Sequence, residues 1–234
     1  MSLRELQTEL AYYAKRILEG GLVTGAGGNI SARHENRMLI SPSGFSLEEV
    51  APEQYAEVDI ESGEIAPGAL RPSSEVLMHL ACYRKRPGIR SVIHTHAPYT
   101  IALTSSGHDL KPMFADSIIY LGRQVPHLDY ITVTTPELAA AVERAIPDCD
   151  CIILRNHGVI TVGENVKQAF WRACTVEESA RIQLLATLVG TPRFLDENEA
   201  NRLESLASEK YRRQLLAHMK GIQVISGDGN KDGK

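Results

Sequence analysis

The sequence predicts an α/β or α+β fold, with one domain built on a largely antiparallel central sheet that is flanked by helices. Segments with helical spacing of apolar residues alternate along the chain with short apolar runs typical of strands, and several of these runs follow one another as in hairpins. No stretch with the composition of a linker interrupts residues 1–226, whereas residues 227–234 are polar and glycine-rich. We therefore expect one domain over residues 1–226 and a disordered polar tail over 227–234.

The N-terminal part of the chain begins with an amphipathic helix that ends at Gly20 and Gly21. Its apolar positions recur with helical spacing at Leu3, Leu6, Leu10, Tyr13 and Ile17. A glycine-dense loop follows at residues 24–29. Beyond it, strands are predicted between turns rich in glycine, proline and serine, at residues 30–33, 38–41 and 55–60.

The second part of the chain alternates helices and strands. Pro72-Ser73-Ser74-Glu75 predicts a helix start, with a serine as N-cap and the glutamate in the first turn. Thr135-Pro136 predicts another, because proline suits the first helical position. Strands are predicted at residues 89–94, 151–154 and 159–162, and a long helix at 165–190.

Composition narrows the classes of function. The net charge of −4 argues against a nucleic-acid-binding protein, which usually carries a basic excess. No apolar run is long enough for a membrane helix, and the N-terminus lacks a signal segment. The cysteines show no metal-binding spacing and are interpreted as reduced core thiols: Cys82, Cys149, Cys151 and Cys174. We expect a cytoplasmic protein.

Three histidines form a candidate metal site. His94 and His96 stand two apart at the end of a predicted strand, so both imidazoles project from one face. His157, in the turn before Gly158, could supply a third nitrogen and leave one coordination position open, as in catalytic zinc sites. The pair alone is also compatible with two ordinary polar histidines, and spacing alone does not bring His157 to them.

Three short segments resemble an anion-binding cradle. Glycines at 27–28, followed by Asn29, allow backbone N–H groups to approach a ligand, and Ser43-Gly44 adds a hydroxyl and another free amide. Ser73-Ser74 precede a predicted helix, whose N-terminus favours an anion. Each segment taken singly is better explained as a turn or a cap. Neither a P-loop nor a dinucleotide-binding motif occurs, so a nucleotide cofactor is not predicted.

Five motifs together resemble the class II aldolase/adducin family, and especially its sugar-phosphate aldolases. They occur in the family order, over about residues 20 to 165, and read TGAGGNIS, ISPSGF, RPSSE, VIHTHAPYT and ILRNHGVITVG. The resemblance implies a nine-stranded, mostly antiparallel sheet. It also implies a homotetramer with active sites near the subunit interfaces.

The same resemblance implies roles for individual residues. His94, His96 and His157 match zinc ligands, in a site where Mn²⁺ or Co²⁺ can replace Zn²⁺. Glu75 matches a catalytic glutamate beside the metal. The substrate phosphate would be held by residues that match Gly28, Asn29, Ser43, Gly44, Ser73 and Ser74.

The implied reaction is cleavage of a ketose 1-phosphate, of the fuculose, ribulose or deoxyribulose type, to dihydroxyacetone phosphate and an aldehyde. It would pass through a metal-stabilised enediolate, with Glu75 as proton shuttle. The family's tyrosine for the C4 hydroxyl falls near Ala115, a departure that leaves the acid or base there open. The candidates are Asp116, Tyr120, Tyr130 and Tyr211, the last reaching a neighbouring subunit.

Other activities occur in the same family. A decarboxylase of a 3-keto-4-phospho sugar acid would need a cation for the substrate carboxylate, which Arg71, Arg123 or Arg155 could supply. Dehydration of a methylthioribulose phosphate and 4-epimerisation of a pentulose phosphate are further alternatives. Epimerases carry additional polar residues where this chain has Ala97-Pro98-Tyr99. A non-catalytic, adducin-like interaction domain is the remaining alternative.

Overall fold

A seven-stranded sheet lies at the centre of the computed structural model, which describes residues 1–218. Its strands are β1 (Asn29–His34), β2 (Arg37–Ile40), β3 (Ala56–Asp59), β4 (Ser91–Thr95), β5 (His127–Leu128), β6 (Cys151–Leu154) and β7 (Gly158–Gly163). Their order is β3-β2-β1-β4-β7-β6-β5, and only the β5–β6 pair is parallel. The predicted tail at 227–234, and the end of the predicted domain beyond 218, lie outside the described residues.

Helices flank this sheet. They are α1 (Leu3–Glu19), α2 (Val76–Lys85), α3 (Pro98–Ser105), α4 (Ala115–Leu121), α5 (Pro136–Ala145), α6 (Val166–Val189), α7 (Glu197–Ser205) and α8 (Ala207–His218). Short 3₁₀ turns occur at Pro52–Gln54 and Ile146–Asp148. The predicted fold class, a largely antiparallel sheet flanked by helices, is confirmed, although residues 1–218 form seven strands where the family resemblance implied nine.

The helices cover both faces of the sheet. On one face α1 and α6 pack against β1, where Ile30 and Ala32 are buried. On the other face α2 and α5 pack against apolar residues of β2, β4, β6 and β7, among them Val92 and Ile160. Every residue of β4 and β7 is therefore buried, which is usual for strands covered on both faces. A polar side chain within β4 must find partners in the interior.

Helix α2 starts later than its sequence predicts. Neither Ser73 nor Ser74 is the N-cap, because the first helical residue is Val76 and Glu75 occupies the cap position. The Glu75 side chain makes no capping hydrogen bond. Ser73 instead supports the turn before the helix, where its Oγ accepts a hydrogen bond from the Glu75 N–H at 3.3 Å. The Glu75 carboxylate is thereby free to point elsewhere.

The cysteines are core thiols, as predicted. All four are free; Cys82 and Cys151 are buried, and Cys149 and Cys174 are half-buried. Burial raises the pKa of the Cys149 and Cys174 thiols to about 11, so both are protonated near neutral pH. Within residues 1–218, no helix combines the length and the apolar character needed to cross a bilayer.

Candidate metal centre and active site

The three predicted histidines lie together at one end of the sheet. His94 is in the central strand β4 and is 0% exposed, and His96 follows just beyond the strand. His157 occupies the turn between β6 and β7, and β7 pairs with β4, which brings this turn to the end of β4. The ring centroids are 5.0 Å apart for His94–His96, 4.7 Å for His94–His157 and 5.5 Å for His96–His157.

Glu75 completes this cluster from the start of α2. Its Oε2 lies 3.2 Å from His94 Nε2, and its Oε1 lies 3.1 Å from His157 Nε2. His96 Nε2 is 3.1 Å from His94 Nε2. One ligand atom from each of the four residues falls within 4.8 Å of the others. The chain therefore presents three imidazoles and one carboxylate to a common point.

A second contact sets the orientation of His94. Its Nδ1 lies 3.0 Å from the Val159 carbonyl oxygen, which can only accept a hydrogen bond, so Nδ1 carries the proton. The Nε2 lone pair then faces the centre of the cluster. A backbone carbonyl behind a histidine is a usual arrangement for orienting a metal ligand.

A divalent cation fits this donor set. Glu75 Oε1 and His157 Nδ1 are buried, and neither makes a hydrogen bond within residues 1–218, since the contact of Oε1 with His157 Nε2 is close without being a hydrogen bond. A buried acceptor without a partner is costly unless something satisfies it. A cation at the common point would satisfy Oε1, and three imidazoles with a carboxylate match the nitrogen and oxygen donors that zinc prefers.

Electrostatics favour the protonation states that bind a metal. Burial by itself would raise the pKa of the Glu75 carboxyl, but the adjacent His94 and His157 rings hold that pKa well below its usual range. Burial, with the neighbouring His94 and His157, lowers the pKa of His96 to about 4. Glu75 is therefore ionised and His96 neutral near pH 7, as metal ligands must be.

Three glycines are required by close packing around the histidines. A Cβ at Gly27 would lie 2.9 Å from His96 Nδ1. Gly28 has φ +72, and a Cβ there would lie 2.5 Å from a Val23 methyl group. A Cβ at Gly158 would overlap the Thr95 carbonyl oxygen. The glycines of the motifs TGAGGNIS and ILRNHGVITVG thus let these two segments pack closely against the C-terminal end of β4.

The predicted phosphate segments also lie close together. Pro42 and Pro72 form an antiparallel bridge. The Ser43 N–H donates to the Arg71 carbonyl at 2.9 Å, and the Ser73 N–H donates to the Ser41 carbonyl at 3.0 Å. Ser43 is half-buried, Ser73 is buried, and Gly44 and Ser74 are exposed.

The third predicted segment joins the cluster through Asn29. Its Nδ2 donates to Glu75 Oε2 at 3.0 Å, and its Oδ1 lies 2.5 Å from His79 Nε2. The Nδ2 and Oδ1 atoms of the buried Asn29 side chain therefore each have a partner within the protein. Gly28 precedes it and is half-buried.

The candidates for chemistry at the C4 hydroxyl occupy different environments. Ala115 opens α4, and Asp116 is exposed in its first turn. Tyr120 packs edge-on against Trp171, with ring centroids 6.3 Å apart. Two tyrosines are largely exposed, Tyr130 at 57% and Tyr211, on α8, at 65%. The choice among these four residues stays a prediction.

The sequence pattern did not indicate the residue that caps the helix after His96. The Glu177 carboxylate, on α6, accepts hydrogen bonds from the N–H groups of Tyr99 and Thr100 at 2.8 and 2.9 Å. It thereby caps α3, which starts two residues after His96. Ala97, at the N-cap of α3, has no side-chain acceptor, so a distant carboxylate takes this role. No local signal in the sequence indicates this contact.

Comparison with known proteins identifies the family to which the chain belongs. Residues 8–184 match the family model described as the class II aldolase and adducin N-terminal domain. The chain belongs to this family. The family predicted from the five motifs is confirmed.

Individual relatives agree with this assignment. The chain is 37% identical over 205 residues to the 5-deoxy-D-ribulose 1-phosphate aldolase of Bacillus thuringiensis serovar kurstaki, covering 87% of this chain and 95% of the relative. It is 33% identical to the 5-methylthioribulose-1-phosphate/5-deoxyribulose-1-phosphate aldolase of Escherichia coli O45:K1, covering 70% of this chain and 76% of that protein. A solved L-fuculose 1-phosphate aldolase, 31% identical, superimposes with a TM-score of 0.80 over 89% of this chain and 96% of its own. The chain is thus a class II aldolase, which is a lyase, as predicted.

Proposed function

We propose that this protein cleaves a ketose 1-phosphate, of the deoxyribulose, ribulose or fuculose type, to dihydroxyacetone phosphate and an aldehyde. One observation supports the proposal above all. A buried carboxylate, Glu75, lies among the three imidazoles at 3.1 to 3.2 Å from two of them. The names of the relatives, which are aldolases of 5-deoxyribulose and fuculose phosphates, support this class of substrate.

We assign a zinc ion to His94, His96 and His157, with Glu75 beside it. Mn²⁺ or Co²⁺ would suit the same donors. Bound there, the cation would polarise the substrate carbonyl and stabilise negative charge on its oxygen. An interaction module of the adducin type needs no such donor set, so retention of all four residues favours an enzyme.

The phosphate is assigned to the adjoining segments that contain Ser43-Gly44, Ser73-Ser74 and Gly28-Asn29. The exposed amide of Gly44 and the exposed Ser74, just before α2, offer donors to an anion. Glu75 directly follows Ser74 in the chain. A substrate anchored by its phosphate in this way would place its carbonyl carbon near the histidines.

Glu75 is assigned the proton transfer at C3. When the C3–C4 bond breaks, its electron pair stays on the three-carbon phosphate fragment, and C3 must take up a proton to give dihydroxyacetone phosphate. The aldehyde forms as the C4 hydroxyl loses its proton to a base, for which Asp116, Tyr120, Tyr130 and Tyr211 remain candidates. Glu75, ionised in the resting protein, would take up a proton from water, or one relayed from the base at the C4 hydroxyl, and pass it to C3.

The proposed assembly is a homotetramer with active sites near the interfaces. Several large apolar side chains in the C-terminal part are exposed in the single chain: Leu185, Leu188, Val189, Phe194, Leu206, Tyr211 and Leu215. If these side chains form a contiguous patch, such a patch is typical of a surface that another protein chain covers. Sedimentation equilibrium would measure the mass of the assembly, and a monomer at micromolar concentration would contradict this part of the proposal. A cytoplasmic location is likewise proposed.

The decarboxylase alternative has weaker support. A substrate carboxylate requires a cation, but Arg123 is paired with Glu204, and Arg155 is paired with Asp109. Arg71 is exposed and remains as the third candidate.

A product assay tests the proposed function. The purified protein, loaded with zinc, is incubated with 5-deoxyribulose 1-phosphate and with fuculose 1-phosphate. Dihydroxyacetone phosphate is followed through its reduction by a coupling dehydrogenase. Release of CO₂ from 3-keto-4-phospho sugar acids is measured in parallel, and Glu75→Gln serves as the inactive control. CO₂ release without dihydroxyacetone phosphate would reject the aldolase in favour of the decarboxylase.

A further inference from the structure

A line of buried polar side chains runs from Glu75 into the core. Asn29 Nδ2 lies 3.0 Å from Glu75 Oε2, and Asn29 Oδ1 lies 2.5 Å from His79 Nε2. His79 Nδ1 lies 2.6 Å from Ser31 Oγ, which lies 2.8 Å from the Tyr83 hydroxyl. All five residues are buried, and His79 is 0% exposed.

The geometry of helix and strand produces this line. Glu75, His79 and Tyr83 are four residues apart and share one face of α2 with its N-cap. Asn29 and Ser31 are two apart and share one face of β1. Side chains from the two elements alternate along their contact, so each strand residue bridges two helix residues.

The hydrogen atoms in this line can be arranged in one order. Asn29 Nδ2 donates to Glu75 Oε2, which leaves Asn29 Oδ1 facing His79. Oδ1 only accepts, so His79 carries its proton on Nε2. His79 Nδ1 then accepts from the Ser31 hydroxyl, and Ser31 Oγ accepts from Tyr83. Each donor points towards the metal cluster.

His79 is neutral in this arrangement. Burial, and to a lesser extent the nearby His94, lower its pKa to about 3. Both of its nitrogen atoms are occupied, by Asn29 and by Ser31, so it is not a further metal ligand. Burying an imidazole costs more free energy than burying an apolar side chain unless hydrogen bonds replace its contacts with water.

We propose that His79 is a positioning residue, which holds Asn29 and through it fixes the Glu75 carboxylate. With Oε2 anchored by Asn29, Oε1 is left facing His157 and the proposed site of proton transfer. The inference rests on the proposed function only in that Glu75 acts on the substrate; the hydrogen-bonded line itself is independent of the reaction.

Three variants test the role in catalysis. In His79→Leu, Asn29 loses its partner, and we expect kcat to fall about 10- to 100-fold, the usual effect of removing a group behind a metal site. KM and zinc content should stay close to those of the native enzyme, because His79 hydrogen-bonds Asn29 and Ser31 but none of the histidine ligands and none of the serines and glycines of the phosphate segments. His79→Gln retains an N–H donor near the position of Nε2 and should recover most of the lost kcat.

Leu80→Ala is the matched control for general destabilisation. Leu80 is buried on the same helix but belongs to the apolar cluster that packs against the other strands. At an equal loss of thermal stability, Leu80→Ala should retain the native kcat. An equal loss of kcat in Leu80→Ala and His79→Leu, or a failure of folded His79→Gln to exceed His79→Leu, would overturn the proposal.

A spectroscopic measurement separates this inference from the proposed reaction. In the native protein with ¹⁵N-labelled histidine, NMR should show His79 as the neutral tautomer protonated on Nε2, unchanged between about pH 6 and 8. Asn29→Leu should shift the Nε2 proton resonance. This tautomer in a protein without aldolase activity would reject the proposed function alone. An Nδ1-protonated or charged His79 in an active enzyme would overturn the inference alone.

Discussion

A buried carboxyl group outside the metal cluster should make the protein's stability depend on pH. Glu9 lies on the buried face of α1 and is 3% exposed, and neither of its carboxylate oxygens has a hydrogen-bond partner within residues 1–218. Burial raises the pKa of its carboxyl from 4.5 to about 7, against a smaller opposing effect of Lys167. The folded protein therefore favours the protonated, neutral form of Glu9.

The size of the effect follows from this pKa. The folded state binds the proton of Glu9 more tightly than the unfolded state does. The contribution of Glu9 to the free energy of unfolding is therefore fully present below pH 4.5 and is lost as the pH rises through 7. A difference of about 2.5 in pKa, at about 1.4 kcal/mol for each unit, corresponds to about 3 kcal/mol lost by pH 8. Glu9→Gln keeps the shape and removes the ionisation, so this loss should be absent.

The assay is urea unfolding of the native protein and of Glu9→Gln, at equal concentration, from pH 4.5 to 8.5. The two should be similar in stability at pH 4.5, and the variant should be about 3 kcal/mol more stable at pH 8.5. For a chain of this length the gain corresponds to roughly 6–12 °C in Tm. Glu48→Gln, which removes an exposed carboxylate, is the control and should change stability by about 0.5 kcal/mol at most. A constant difference between native and Glu9→Gln at all pH values would refute the reasoning.

Three further predictions concern the site. Glu75→Gln should lower kcat at least about 1,000-fold, because a carboxamide cannot carry the proton to C3. Elemental analysis should still find zinc bound to the variant. Substantial turnover would show that Glu75 does not transfer this proton. His96→Ala should bind the metal more weakly, because one of the three imidazole ligands is lost, and dialysis against a zinc buffer would show a dissociation constant at least about 100-fold higher. Native affinity would exclude His96 as a ligand. Ser73→Ala should raise KM about 10-fold with kcat within a few-fold, as expected for a contact to the phosphate alone, and an unchanged KM in steady-state kinetics would argue against the cradle.

Local sequence patterns determined most of the secondary structure. The spacing of apolar residues predicted α1 and α6 almost to their ends, and Thr135-Pro136 predicted the start of α5, where the Thr135 side chain accepts a hydrogen bond from the Leu138 N–H. These signals act within one or two turns of a helix, so they need no knowledge of the fold. At α2 the local signal was wrong by a few residues, because the turn at Ser73 and the contacts of Glu75 with the histidines outweigh the capping preference of serine.

The metal site was only partly accessible from the sequence. The pair His94 and His96 carried a signal of its own, whereas His157, more than sixty positions further along, was linked to it only by resemblance to a family. Pairing of β4 with β7 brings the turn that contains His157 to the end of β4. Strand pairing over such a separation depends on how the whole sheet packs, which no local spacing encodes.

Only the tertiary structure decided which polar residues hold the residues of the site in position through hydrogen bonds. Asn29 was predicted from the sequence as part of the anion cradle, which stays a prediction, and the structure adds that its side chain contacts Glu75 and His79. His79 and Glu177 carried no signal, because their partners lie on other elements. The sequence thus determined the elements and the kinds of ligand, through interactions between residues near in the chain. The fold determined which of these groups meet. A hydrogen bond in a buried site forms only when donor and acceptor are placed correctly to within a few tenths of an ångström, and here they lie on elements far apart in sequence.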